Sequence, residues 1–315
     1  MIQIFNENCL TGSSKIDSES IDLGIYDPPF GINESNFEMH YKRKSENVIS
    51  GYHEAPEDYF DFSCAWIKEA TRVLKPDGSM YIVIGHSNLA EVLLAAKESD
   101  LHLINQLVWK FNFGVHAKSK FVTSHYNILY YSKNKKSKVK FNTHCRFGSQ
   151  EKDSYGGSLL YQDMEDVFVI NKDFKPGEKK NQNKLPDALI TKLIQYSSDE
   201  GDNVCDFFMG NFTTAYVANA LGRHVYGYEI NTASYDHHMP LLMSSPFGSQ
   251  LPLLKKVCNE EPENRGKPVS EEEKSKIRED FAELLKQGFT KKDANKALQE
   301  KYQRGYFGIL NIVRV

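Results

Sequence analysis

Four consecutive residues, Asp27-Pro28-Pro29-Phe30, place a carboxylate beside two prolines and an aromatic ring. They directly follow residues 21–26, an apolar run with the pattern of a buried strand. Two prolines cannot continue a sheet ladder, so the chain must leave the sheet here. In open α/β sheets, ligands bind beyond the carboxyl ends of strands. The segment is a candidate site for a carboxylate that accepts hydrogen bonds and a ring that stacks on a planar substrate, with a purely structural turn as the alternative.

A second motif surrounds Gly210. A strand pattern at residues 203–208 leads into the glycine loop, a helical pattern follows at 213–221, and a further strand pattern at 224–229 ends in Glu229. This layout is typical of the nucleoside-binding half of an α/β protein, in which an acid about 20 residues beyond the loop binds ribose hydroxyls. A single glycine is weak evidence on its own, because glycines at strand ends also serve packing.

Alternating strand and helix patterns connect the two motifs. Strand patterns occur at residues 2–5, 21–26, 80–84, 103–109, 128–131, 203–208 and 224–229. Helical patterns begin at Pro56 and Ser87 and recur at residues 186–197 and 213–221. Such alternation indicates a doubly wound α/β sheet. Residues 31–55 are polar and without period, which predicts a long loop after the first motif.

The composition excludes several classes of protein. Among 315 residues, 40% are hydrophobic and 26% charged, which is typical of a globular chain. No run approaches the roughly 18 apolar residues of a membrane span, so we expect a cytoplasmic protein without a membrane partner. The five cysteines are widely spaced and include no CxxC pair, so neither a disulfide framework nor a metal site is expected.

Positive charge is concentrated in one segment although the net charge is −3. Residues 110–150 contain nine Lys or Arg and no Asp or Glu. A polyanion such as DNA can bind to a local basic face of this kind. A solvated lysine-rich loop is the alternative.

Taken together, the motifs resemble those of the SAM-dependent amino-methyltransferases of DNA in their β arrangement, where a DPPY/DPPF box precedes a DPFxGSGTT cofactor box. The resemblance covers about residues 1–240. It extends to residues 72–79, to 184–190, which look like the family's QKP-x-x-L-I helix, to Gly-Asp at 201–202 and to Leu-Gly-Arg at 221–223.

The resemblance implies a Rossmann-like SAM methyltransferase sheet with an inserted target-recognition region and a small C-terminal helical extension. The implied boundaries are 1–132 for the catalytic half, 133–183 for the target-recognition insertion, 184–243 for the cofactor-binding half, 244–270 for a linker and 271–315 for the helical extension.

The resemblance also implies the site residues, with no metal among the cofactors. The catalytic residues are Asp27, Pro28, Pro29 and Phe30. The residues expected to bind S-adenosylmethionine (SAM) are Asn8, Cys9, Asp27, Lys184, Asp206, Phe208, Gly210, Asn211, Thr213, Thr214, Glu229, Ile230 and Asn231. Those expected to bind DNA are Lys118, Lys120, Lys133, Lys135, Lys136, Lys138, Lys140 and Arg146, with Arg146, Asn142, Gln150 and Gln162 as candidate readers of base edges.

The implied reaction is N6 methylation of an adenine flipped out of double-stranded DNA. Asp27 and the carbonyl of Pro28 would accept the two hydrogens of the adenine amine, and Phe30 would stack on the base. A nucleoid-associated enzyme of a prokaryote or phage fits this family. A homodimer and a cognate restriction endonuclease are its further candidate partners.

Three departures from the family pattern lie in the cofactor box, where Phe207, Asn211 and Phe212 replace the family's Pro, Ser and second Gly. A phenylalanine adopts a positive φ only at a cost. We therefore expect either an altered loop or a position that is not left-handed. Residues 180–183 also lack the family's His-Pro-Thr.

Three other functions remain open at this point. A cytosine-N4 methyltransferase is the first, although the box of that subgroup usually begins with Ser rather than with an acid such as Asp27. A methyltransferase of RNA or of protein glutamine shares an Asn/Asp-Pro-Pro box, but the order of the boxes and the basic segment between them argue against it. The third is a DNA-binding module that has lost catalysis.

Two helical patterns lie within residues 271–303, on either side of a turn at Gly288, with Thr290 as a helix N-cap. They fit a helix-turn-helix or a plain helical hairpin. The first helix is acidic, whereas positive charge near the second comes from Lys291, Lys292, Lys296, Lys301 and Arg304. The second helix is therefore the one expected to face DNA, if either does.

Overall fold

The computed structural model describes residues 1–30, 58–112, 114, 116, 118–149, 151–172, 184–254, 263–264 and 266–314. The chain divides into an N-terminal unit, Met1–Lys255, and a C-terminal unit, Lys256–Val315. The predicted loop at 31–55, residues 173–183, Pro56 and Gln150 lie outside the described residues.

The described part of the N-terminal unit is built on an eight-stranded sheet. Its strands are β1 (Ile2–Phe5), β2 (Ile21–Tyr26), β3 (Leu74–Ile84), β4 (His102–Lys110), β5 (His125–Ser132), β6 (Val167–Val169), β7 (Asn203–Asp206) and β8 (His224–Tyr228). The spatial order is β1-β8-β7-β2-β3-β5-β4-β6, and of these strands β5 alone runs antiparallel to its neighbours. The predicted doubly wound α/β sheet is confirmed.

Helices cover both faces of this sheet. They are α1 (Tyr59–Val73), α2 (Leu89–Glu98), α3 (Leu159–Asp163), α4 (Asp187–Ser197), α5 (Thr213–Ala220) and α6 (Thr232–Ser244). Buried residues of α1 and α2 belong to one hydrophobic core and those of α4 and α5 to another, on the opposite side of the strands. Strands buried on both faces are expected to be almost wholly apolar, which is what the sequence of β2 shows.

The strand order reverses between β2 and β7. From β2 the chain passes through α1 to β3 on one side, and from β7 it passes through α5 to β8 on the other. The two central strands are parallel neighbours, with Leu23 paired to Val204 and Gly24 to Cys205. Their carboxyl ends therefore open into one crevice, which is where open α/β sheets bind ligands.

The expectation that residues 133–183 form an insertion outside the core is wrong for the described part of that segment. Strand β6 extends the main sheet by pairing with β4, and Phe168 is buried in the core. Asn142 Nδ2 donates to the carbonyl oxygens of Gln195 and Ser198, which ties the segment to the end of α4. A three-residue strand in polar surroundings is too short to produce a period in the sequence.

The C-terminal unit contains α7 (Glu271–Lys286), α8 (Lys291–Tyr302) and α9 (Tyr306–Val313). Thr290 is confirmed as the N-cap of α8, since its Oγ1 accepts from the N–H of Asp293 at 3.2 Å. Helix α9 was not expected from the sequence, because a short, largely apolar run of eight residues also fits a strand. None of the helices in the described part of the chain is long and apolar enough to cross a membrane.

Candidate active site

Asp27 stands at the crevice because it immediately follows β2. The side chains of Asp27, Pro29 and Phe30 are partly buried, and Pro28 is buried. Among the described residues, no group donates a hydrogen bond to the Asp27 carboxylate or to the Pro28 carbonyl oxygen. Both acceptors of this segment are therefore available to a substrate amine.

The next two carbonyl oxygens of the segment are occupied. Tyr59 Oη, from the first residue of α1, donates to the Pro29 oxygen at 2.8 Å. Asn88 Nδ2 donates to the Phe30 oxygen at 2.7 Å. Helix α2 begins at Leu89 and not at the expected Ser87. Asn88 occupies its N-cap position without a capping hydrogen bond from the side chain, which donates to Phe30 instead.

The electrostatic environment of Asp27 favours the neutral acid. Burial raises its pKa to about 8, the carboxylate of Asp206 adds to this rise, and the ammonium of Lys172 opposes it. Lys172 comes from the segment that follows β6. A positively charged ligand in the crevice would stabilise the ionised form of Asp27.

Two further carboxyl groups hold the loop between β7 and α5. Asp206 accepts from the Phe208 N–H at 2.9 Å and from Thr214 Oγ1 at 2.7 Å. Glu229 accepts from the Gly210 N–H at 2.5 Å and from the Asn231 N–H at 2.7 Å. Burial raises the pKa of Asp206 to about 6 and that of Glu229 to about 7.

These pKa values predict how the stability of the ligand-free protein depends on pH. Asp27, Asp206 and Glu229 bind a proton more tightly in the folded chain than in the unfolded chain, where their pKa values lie near 4. Their contribution to stability is therefore complete below about pH 4 and is lost as the pH rises through about 6 to 8. We expect Asp27→Asn to make the fall in Tm between about pH 5 and pH 8.5 shallower. An equal fall in both proteins, measured by calorimetry, would contradict this.

The loop is left-handed at Phe212, with φ 56° and ψ 22°, and also at Gly210, with φ 50°. Of the two expected outcomes at Phe212, the one in which the position is not left-handed is wrong. Its ring is fully buried and stacks on His238 with 5.4 Å between ring centroids. The backbone strain of about 1–2 kcal/mol is smaller than the free energy gained by burying an aromatic ring.

Phe212→Gly tests this balance. Glycine relieves about 1–2 kcal/mol of strain but loses ring burial of about 3–5 kcal/mol, so we expect a net destabilisation of about 2 kcal/mol. Urea unfolding can be followed by the fluorescence of Trp66 and Trp109, both fully buried in the N-terminal unit. A variant as stable as the parent would show that strain and burial cancel.

The structure distributes the other expected cofactor residues unevenly. Asn211, Thr213 and Thr214 are buried in the loop and first turn of α5, and Phe208 and Ile230 border them at the ends of β7 and β8. Asn231 caps α6, with its Oδ1 accepting from the Ser234 N–H at 3.1 Å. Lys184 Nζ lies 3.3 Å from Asp187 Oδ1 at the start of α4.

Asn8 and Cys9 follow β1. Asn8 Oδ1 accepts from the Leu10 N–H at 2.8 Å, and Cys9 is a buried thiol whose pKa is raised to about 12 by burial. Their assignment to the cofactor stays a prediction. Asn6 was not expected in the site, yet its Nδ2 donates to the Glu229 carbonyl oxygen at 2.8 Å and links β1 to the end of β8.

Three of the cations expected to bind DNA instead hold the fold together. Lys133 Nζ lies 2.9 Å from Glu19 and 2.7 Å from the Leu74 oxygen, and Lys140 Nζ lies 2.6 Å from Asp202. Arg146 Nε lies 2.8 Å from Asp163. These assignments are corrected, because the segment has no acids of its own and pairs with acids from elsewhere in the chain. Asn142 is likewise structural, whereas Gln162 is exposed.

The other five cations that were expected to bind DNA are exposed and form no ion pair with any described residue. They are Lys118, Lys120, Lys135, Lys136 and Lys138. Their assignment to DNA stays a prediction.

An aromatic-walled cavity of about 170 Å³ lies beside Phe30. The Phe30 ring meets Tyr126 edge-on, with 5.1 Å between ring centroids, and residues 84–88 and Thr123 complete the lining. Tyr126, Tyr59, Asn88 and Lys172 were not expected in the site. No local signal could have identified them, because each comes from a different part of the chain. Two of them donate to main-chain oxygens, one packs against a ring and one acts through its charge.

Comparison with known proteins places these features in a family. The family model described as DNA methylase matches residues 21–239. The type II methyltransferase M.HinfI of Haemophilus influenzae is 31% identical over 241 residues, which cover 72% of this chain and 64% of that protein. M.BamHI of Bacillus amyloliquefaciens is 29% identical, and the match covers 72% of this chain and 54% of that protein. M2.DpnII of Streptococcus pneumoniae is 30% identical, and the match covers 68% of this chain and 79% of that protein. The match thus spans less than two thirds of the first two relatives.

Solved structures of similar fold include M1.HpyAVI in complex with SAM and the cytosine-N4-specific PvuII DNA methyltransferase. The former has a TM-score of 0.54 at 18% identity and covers 78% of this chain and 100% of that chain. The PvuII enzyme has a TM-score of 0.57 at 17% identity, and the match covers 78% of this chain and 94% of that chain.

Proposed function

The chain belongs to the DNA methylase family, and we propose that it is a site-specific adenine-N6 methyltransferase that transfers a methyl group from SAM to an adenine flipped out of double-stranded DNA. The observation that carries this proposal is the Asp27 carboxylate at the switch point, beside the Pro28 carbonyl oxygen, since neither acceptor receives a hydrogen bond from the residues that the structure describes. Two acceptors on adjacent residues suit an amine with two hydrogens.

The crevice residues fit SAM. Three carboxyl groups, those of Asp27, Asp206 and Glu229, have raised pKa values. Among the described residues, Lys172 is the cation that lowers the pKa of Asp27. SAM carries a sulfonium cation and two ribose hydroxyls. These supply the positive charge and the hydrogen-bond donors that a group of three carboxyls needs. Glu229 would bind the ribose, and the loop at Phe208–Phe212 would surround the ligand. When bound, SAM supplies a methyl group that needs no further activation.

Asp27 acts on the nucleophile. The amine of adenine is a poor nucleophile because its lone pair is delocalised into the ring. Hydrogen bonds from the amine to the Asp27 carboxylate and the Pro28 oxygen localise that lone pair as charge develops on the nitrogen. A carboxyl group with a pKa near neutrality can then accept the proton that the methylated nitrogen releases.

Phe30 provides the surface for the base. A base inside a duplex cannot reach the crevice, so it must be flipped out. The Phe30 ring borders the cavity and is partly exposed, so it can stack on the extruded adenine, an interaction worth about 1–3 kcal/mol.

Single-molecule sequencing of DNA methylated in vitro by the full chain tests the function. We expect N6-methyladenine at one base of one short recognition sequence, and none with the Asp27→Ala variant. N4-methylcytosine would assign the enzyme to the other branch of the family. Unmodified DNA together with measurable DNA binding would favour a module without catalysis.

The proposal includes the finer assignments of partners and location. A restriction endonuclease with the same recognition sequence suits a chain similar to type II methyltransferases. A homodimer and a cytoplasmic, nucleoid-associated location belong to the same proposal, and light scattering of the purified chain tests the dimer.

Tyr59 and Asn88 are expected to act as positioning residues. Tyr59→Phe and Asn88→Ala each free one carbonyl oxygen of the catalytic segment, so Asp27 and Pro28 lose a fixed position. We expect the double variant to lower kcat about tenfold while SAM affinity and KM for DNA change little, because the chemical step depends on geometry. Tyr155→Phe, at a hydroxyl 96% exposed, is the matched control. An effect confined to KM would contradict the assignment.

A further inference from the structure

The C-terminal unit lies beyond the residues 21–239 that match the family model. Its three helices contact one another around a small core of Ile277, Leu298, Ile309 and Ile312. The N-caps of α7 and α8 are both satisfied by side chains. This unit has its own core and is therefore an addition to the methylase sheet, and the sheet does not explain its presence.

Helices α8 and α9 are joined by a turn of three residues, Gln303–Gly305. Gln303 is left-handed, with φ 50°, and ends α8. Arg304 is buried, and its guanidinium lies 2.7 and 2.9 Å from the two carboxylate oxygens of Glu273 in α7. The turn is thus fixed to the first helix of the unit. Two helices joined by a turn of three or four residues containing glycine, supported by a third helix, is the layout of a helix-turn-helix.

The structure separates the cations of α8 and of the turn after it into two groups. Lys301 Nζ lies 2.6 Å from Asp280, and Arg304 pairs with Glu273, so both serve the fold. Lys291, Lys292 and Lys296 are exposed, and no described residue forms an ion pair with them. These three lysines lie on the first half of α8.

The outer face of α9 carries side chains that suit bases. Ile309 and Ile312 point into the core, whereas Tyr306 and Phe307 are 40% and 72% exposed. Asn311 and Arg314 are also exposed. Asn and Arg form paired hydrogen bonds with adenine and guanine, and aromatic rings contact the thymine methyl group.

We infer that the C-terminal unit is a helix-turn-helix that binds double-stranded DNA, with α9 in the major groove and the three free lysines of α8 on the phosphate backbone. In such motifs the second helix of the pair reads base edges while the first crosses the backbone. The inference rests on the proposed function for its substrate. It keeps α8 as a helix that faces DNA, as expected from the sequence, and adds α9 as the helix that reads the bases.

Charge favours DNA over a protein as the occupant of this surface. Residues 291–314 contain six Lys or Arg and two Asp or Glu. Residues 271–286 contain four Lys or Arg and six Asp or Glu. The positive charge is therefore concentrated on the helix pair that the motif presents to DNA. The exposed apolar area of α9 is interrupted by Asn311 and Arg314, which suits a wet, charged interface.

The test uses the full chain with Lys291→Gln, Lys292→Gln and Lys296→Gln combined. The matched control combines Lys274→Gln, Lys276→Gln and Lys286→Gln on α7, which changes the net charge equally. Binding to duplexes with and without the target sequence is measured by fluorescence anisotropy at several salt concentrations. We expect the α8 variant to lower the slope of log K against log salt by about 0.9 for each lost phosphate contact on both duplexes, and the control to leave the slope unchanged.

A second variant, Phe307→Ser with Asn311→Ala, tests α9. We expect weaker DNA binding with an unchanged Tm, because both side chains lie outside the small core. Equal salt slopes for the two lysine variants, or an α9 variant that alters self-association and leaves DNA binding intact, would overturn the inference. Methylation of target DNA by the unsubstituted chain is scored separately: its absence would refute the proposed function alone.

Discussion

Asp27→Ala is expected to abolish methyl transfer, with the single-turnover rate falling by at least about a thousandfold. The carboxylate interacts mainly with the amine as charge develops, so its removal destabilises the transition state more than the bound ground state. The affinities for SAM and for DNA should stay within about tenfold. Single-turnover methylation of a target duplex and calorimetric titration of SAM measure the two effects independently.

Two further variants separate the possible causes. Asp27→Asn keeps a side-chain acceptor but cannot take a proton, so a loss as large as that of Asp27→Ala would identify proton acceptance as the essential role. Asp22→Asn, on β2 just before Asp27 and at a carboxylate paired with Lys75 at 2.8 Å, controls for a loss of negative charge near the sheet. Retained transfer with abolished SAM binding in Asp27→Ala would reverse the assigned role.

The strands and the order of the two motifs could be predicted because both are local properties of the sequence. β1 and β2 occupy the residues expected of them, since short apolar runs bounded by polar or proline residues define a buried strand. The carboxyl ends of β2 and β7 could be expected to meet because the strand–helix alternation fixes the direction of a parallel sheet. The candidate site follows from those two facts.

The contacts that complete the site could not be predicted, because they depend on distances between segments far apart in the chain. Tyr59 fits the apolar period of α1, and its role appears only where its hydroxyl reaches the Pro29 oxygen. Lys133 and Lys140 differ from Lys135 and Lys138 only in the acids that the fold brings to them. Charge along a sequence shows where cations are numerous and leaves undetermined which of them are free.

Phe212 shows how tertiary packing overrides a local rule. Residue preference alone argues against a left-handed phenylalanine. The preference is worth about 1–2 kcal/mol, whereas full burial of the ring is worth more, so packing determines the conformation. The cofactor loop therefore retains a left-handed turn at a position where the sequence pattern of the family has changed.

Gly227→Ala is expected to destabilise the N-terminal unit by about 3 kcal/mol or more and to lower SAM affinity at least tenfold. Gly227 pairs with Asp206 between β8 and β7. A Cβ atom there would lie 2.0 Å from the Asp206 carbonyl oxygen and 2.5 Å from Met209 Cε. The methionine can move, but the backbone oxygen can retreat only if the two strands separate.

That separation would move both carboxyl groups that hold the cofactor loop, since Asp206 is the paired residue and Glu229 follows two positions later. Gly148→Ala is the matched control, because its nearest contact would be Glu151 Cγ at 3.8 Å, an ordinary van der Waals distance. Urea unfolding should show the control within about 1 kcal/mol of the parent. If Gly227→Ala proved equally stable and bound SAM normally, the close approach of the two strands would not be what sets the geometry of Asp206 and Glu229.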